Sequence, residues 1–197
     1  MENSGLVQLT AEQIEKVFGP SAGFESGMGI IETGRVAGGL STLFEIGFEL
    51  LGNASAEVEP NDLVATCSVR SRLMGETAEN LALYIPEISP IDREEVLSFS
   101  GRLDSFSLEG LYKELGSIDA IDFVEKHLAG FISAVIAHYL SRCGDMSDRS
   151  FSRALAHALS VIEEVSRTSS TASIGSVNKT AEFLGNLNVM KEIFALS

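Results

Sequence analysis

The chain has 197 residues, enough for one domain or two small ones, and 45% of them are hydrophobic, enough to bury a substantial core. Acidic side chains outnumber basic ones 28 to 14, a net charge of −14. That balance argues against sequence-independent binding to nucleic acid or to an anionic membrane, where Lys and Arg must neutralise phosphates.

The first ten residues, MENSGLVQLT, lack a basic stretch and an apolar run, so no secretory leader is expected. Cys67 and Cys143 form no zinc-ligand pattern. Two free thiols in a reducing cytoplasm is the default, with a single disulfide the alternative. The most apolar run, residues 128–140, falls short of the roughly 20 residues needed to span a bilayer and suits a buried helix.

In chain order, LTAEQIEKVFG places Thr10 three residues before Gln13, a capping box, and stops at Gly19-Pro20. Residues 20–29 have linker composition. Residues 30–52 carry helically spaced apolar side chains, with Gly34, Gly38, Gly39 and Gly47 expected where helices approach closely. ASAEVEP, residues 54–60, suits a short strand. Across residues 63–88, Leu63, Ala65, Cys67 and Val69 alternate with polar neighbours, and Leu81, Leu83 and Ile85 do so again after Met74-Gly75-Glu76-Thr77. Period two on both sides of a glycine turn predicts a β-hairpin. Ser89-Pro90 then opens a helix through Leu97.

The second half is read as helical. A short helix over 105–115 ends at Gly116, and a long apolar one covers 117–143. Phe151, Leu155, Leu159, Ile162 and Val165 form a stripe at helical spacing. A Ser/Thr-rich joint precedes a last helix bearing residues 177–194.

Catalytic signatures are missing: there is no P-loop, GxGxxG, GxSxG or HExxH. His127, His138 and His157 are far apart on helices, and Glu94-Glu95 and Glu163-Glu164 suit solvated faces. His138 and Arg142 share a helix face at i, i+4, an arrangement that complements a helix C-terminus.

Residues 59–91, EPNDLVATCSVRSRLMGETAENLALYIPEISPI, resemble the middle domain of the flagellar motor switch protein FliM and its relatives, the CheC/CheX/FliY chemotaxis phosphatases. The shared features are Pro60-Asn61-Asp62, the Gly75-Glu76 turn and the closing Ile85-Pro86-x-Ile88. Upstream, LSTLFEIGFELLGNA is similar to the phosphatase signature helix, with Ser41, Glu45 and Gly52-Asn53-Ala54 matching. Residues 9–18 resemble the short helix that captures a phosphorylated response regulator in that family. The amide that positions the attacking water there is Phe48 here, which neither donates nor accepts a hydrogen bond, so Ser41 and Glu45 are a degenerate pair that should not hydrolyse an acyl phosphate. No second copy of the motif occurs, and residues 101–197 match nothing in the family.

The expected fold is α+β: helix-dominated, with a small antiparallel sheet from the hairpin at about 62–88 and an all-α C-terminal half. Residues 1–20 form an interaction helix tethered to about residue 29. One globular domain follows over 30–197, its 30–100 part α/β and its 101–197 part helical. The expected function is a non-catalytic, cytoplasmic protein-interaction module with no cofactor, metal, nucleic acid or membrane insertion. Its partner is a phosphorylated response regulator or a second copy of itself, docked through Leu9, Ile14, Val17 and Phe18. An N-terminal helix folded onto its own domain is the plainer reading of the same residues. A helical scaffold that assembles into a homo-oligomer is the alternative function. A helical protein binding a small molecule near His138, Tyr139 and Cys143 is a third.

Overall fold

A computed structural model describes residues 11–18, 28–87, 108–144, 148–167 and 194. The elements are α1 (Ala11–Phe18), α2 (Ile30–Ser55), α3 (Asn61–Ala82), α4 (Leu108–Asp122), a π-helical segment (Phe123–Leu128), α5 (Ala129–Leu140) and α6 (Arg149–Val165). Gly116 sits at φ 68 inside α4 and breaks it into two pieces, so the helix end expected there is realised as a kink. The helices expected over 89–97 and 177–194 lie outside the described residues, except that Phe194 is buried.

The expected sheet is corrected: the described residues contain no strand, and the α+β class and the α/β part fall with it. The hairpin read over 62–88 is α3 and the turn after it, and the strand read in 54–60 is the end of α2 and a short turn. Leu63 and Cys67 fit either period, because a spacing of four is two strand repeats and about one helical turn. The deciding residues are polar. Cys67, Arg70, Ser71, Met74, Thr77, Ala78 and Leu81 are all buried, a stripe spaced by threes and fours. Val69, which a strand would bury with Cys67, is exposed. Each buried polar member has a partner. Ser71 Oγ donates to the Phe48 carbonyl at 2.8 Å, Thr77 Oγ1 donates to the Leu73 carbonyl at 2.7 Å, and Arg70 pairs with Glu125.

α2 is the central helix. Twenty-six residues make it about 39 Å long, and it packs along α3 and against α4 and the π-helical segment. Ser41 bonds to Ala78 while Phe48 bonds to Ser71, so α2 and α3 run antiparallel as a helical hairpin. Gly47 lets them approach closely: a Cβ there would fall 2.2 Å from Met74 Cε.

The second layer is held by specific ties. The ring of Tyr84, just past α3, meets that of Phe151 at a tilt, 5.2 Å between centroids, and its hydroxyl lies 3.0 Å from Ser150 Oγ, which joins α3 to the start of α6. The Asp148 carboxylate accepts backbone N–H bonds from Met28 at 2.9 Å and Gly144 at 2.8 Å, fixing the entry to α2 beside the α5–α6 loop. Arg70 joins Glu125 of the π-helical segment and also donates to the Arg167 carbonyl just beyond α6.

Candidate functional site

The antiparallel packing of α2 on α3 leaves an open groove of about 450 Å³ on its outer side. α2 contributes Glu45, Phe48, Gly52 and Ser55, which recur every three or four residues along one helix face. α3 contributes Ser68, Arg72, Gly75, Glu76 and Glu79 at the same spacing. The floor is the ring of Phe48, and it lies there because Gly75 has no side chain: a Cβ on Gly75 would meet ring carbon Cδ2 at 3.1 Å. Even so, Phe48 stays 44% exposed, a large apolar surface left in water.

The rim is acidic. Glu45, Glu76 and Glu79 are exposed along it, and Glu49 stands close enough to act on Glu45. Burial of its surroundings, and then the Glu49 charge, hold the Glu45 carboxyl above the ordinary carboxylate range. Arg72 is the rim's cation. Its Nε donates to Glu76 Oε1 at 2.7 Å one turn away, an exposed pair contributing about 0–1 kcal/mol. The groove holds no histidine or cysteine, so none of its hydroxyls has an imidazole base. The groove therefore presents an aromatic floor inside an acidic frame.

The expected site residues separate. Glu45 lines the groove, beside Phe48, which the sequence offers only as the residue that replaces a catalytic amide. Ser41 does not: its hydroxyl is buried and donates to the Ala78 carbonyl at 2.9 Å, holding α2 to α3. Ile14 and Phe18 are buried in the core, and the Phe18 ring meets Phe194 at 4.9 Å and Tyr139 at 5.7 Å, both edge-on. Arg142 donates to the Phe18 carbonyl at 3.2 Å, which anchors the end of α1 to α5. Leu9 lies outside the described residues, and so does the side chain of Val17. The groove itself was hidden from the sequence because Ser68, Arg72 and Glu79 were assigned to strands.

A second cavity of about 370 Å³ is lined by Gly29, Ile31, Glu32, Arg35, Val36, Tyr139 and Phe194, so of the expected small-molecule group His138, Tyr139 and Cys143 only Tyr139 reaches it. Burial keeps the Tyr139 phenol well above its usual range and the Cys143 thiol up at about 11. Both are therefore protonated and unreactive near neutral pH. Arg142 is tied to Glu32 at 2.6 Å. His138 is likewise shifted toward its neutral form, chiefly by burial and then by Arg142. These groups knit α1, α2 and α5 together.

Among the described residues no cluster of His, Cys, Asp or Glu could hold a metal ion, and no helix is long and apolar enough to cross a membrane. Comparison with known proteins gives no match: no family model, no curated protein and no solved structure is similar to this chain.

Proposed function

We propose that this chain is a non-catalytic protein-interaction module whose docking face is the groove between α2 and α3. The observation that carries the reading is Phe48: a large aromatic ring, half in water, at the centre of a concave surface framed by carboxylates. Buried aromatic anchors ringed by polar groups supply most of the energy of protein–protein contacts. The resemblance to the chemotaxis phosphatases suggests the first partner to try, a phosphorylated response regulator, with Glu45 and Phe48 as its contacts. Ser41 has no part in that contact, because its hydroxyl is spent on α3.

The test is gel filtration of the source cell's extract, following the chain by antibody, with wild type against Phe48→Ser. Wild type is expected to elute in a complex and Phe48→Ser at the 21.1 kDa of the free chain, with unchanged far-UV circular dichroism. Truncating a central aromatic anchor costs about 2 kcal/mol or more, roughly thirty-fold in affinity. A Phe48→Ser chain that stays in the complex sinks the reading. Acetyl phosphate in the extract identifies the partner class: a complex that forms only with it contains a phosphorylated regulator.

A further inference from the structure

The first three turns of α6 carry a basic surface free of acids, and its last turn carries the exposed Glu163 and Glu164. The buried side of α6 is Phe151, Leu155, Ala158, Val161, Ile162 and Val165. On its exposed side Arg149, Arg153 and His157 recur at i, i+4 and i+8, and residues 149–160 contain no Asp or Glu in a chain of net charge −14. Beside that stripe run Ser152, Ala156 and Ser160, all small, so the middle of the exposed face is shallow.

This surface is the complement of the groove. The groove has an aromatic floor and an acidic rim with Arg72 toward one end; the outer face of α6 has a shallow middle, arginines at its start and Glu163-Glu164 at its end. The twelve acid-free residues 149–160 span about 18 Å, which fits along the 22-residue α3. Resting on the reading of the groove as a docking face, we propose that its occupant is α6 of a second copy of this chain. Phe48 lies against Ala156 and Ser160 of the neighbour, while Arg149 and Arg153 face Glu45 and Glu79. The two surfaces are different, so the contact either closes reciprocally as a two-fold dimer or runs head-to-tail into a ring or a filament.

The experiment is sedimentation velocity on the purified full chain across protein concentration and salt. Wild type is expected to rise above 21.1 kDa with concentration and return to it in high salt. E45K/E79K and R149E/R153E should each weaken association about ten-fold or more, since like charges then face each other. All four positions are exposed, so far-UV circular dichroism should be unchanged. The chain carrying all four reversals should associate again. A wild type that is monomeric at every concentration, or association that survives either pair of reversals, overturns the proposal. A monomeric wild type together with an extract complex that Phe48→Ser abolishes overturns self-pairing alone. A Phe48→Ser chain that keeps its complex overturns the groove reading with it.

Discussion

Two helical glycines have opposite surroundings. A Cβ on Gly39 would lie 2.3 Å from the Phe194 ring, while one on Gly130 would meet nothing within 4 Å. Gly39→Ala must displace a rigid buried ring, which costs about 1–3 kcal/mol and outweighs the roughly 1 kcal/mol that alanine gains in a helix. Gly130→Ala keeps only the gain, about 0.5–1 kcal/mol. Urea midpoints should therefore move in opposite directions for the two variants. His127 makes a second case at this scale. It is buried beside Phe123, its Nδ1 has no hydrogen-bond partner among the described residues, and burial shifts it below its ordinary value of 6.5. Above that value both folded and unfolded chains carry it neutral. As pH falls through 6.5 the unfolded chain takes up a proton that the native site refuses, so stability declines. His127→Phe should flatten that acid decline in a plot of melting temperature against pH.

Among elements, α3 carries the buried ion pair. Its Arg70 binds Glu125 and reaches the Arg167 carbonyl, joining three parts of the chain. Arg70→Met removes the guanidinium from a buried carboxylate and should cost about 3–5 kcal/mol, whereas Arg70→Met with Glu125→Leu should recover most of it. Urea denaturation of both chains checks this, and equal losses would contradict it. The same element explains how far the sequence could be read. α2 and α6 were legible because their buried stripes are apolar: Leu40, Leu43, Phe44 and Leu51 in one, Phe151, Leu155, Ile162 and Val165 in the other. α3 was not, because Arg70, Ser71 and Thr77 lie on its buried side and look like solvent-facing positions in a hydropathy pattern. Gly75 looked like a turn, but its missing side chain makes room for Phe48. Gly116 carries the same residue type and does break a helix, at φ 68. What distinguishes the two is a neighbour 27 residues before Gly75, which no local pattern contains.

For the whole molecule, the polar buried face of α3 conceals the groove from a hydropathy pattern as well. Glu45 is a candidate in the sequence, but Phe48 reads there only as the loss of a catalytic amide, and the other wall of the groove requires α3 to be a helix. α1 shows the converse: its capping box and helical stripe were legible, while the burial of Phe18 against Tyr139 and Phe194 depends on contacts far along the chain. The central claim is that the α2–α3 groove is where another protein docks. Photo-crosslinking in the source cell tests it most directly, with a photoreactive residue at position 48 and, as a control, at Ile30. Ile30 is also exposed, at 60%, but lies about 27 Å along α2 from position 48. The account predicts a discrete crosslinked product from position 48 and none from position 30. Crosslinks of equal yield from both, or none from position 48, would contradict it.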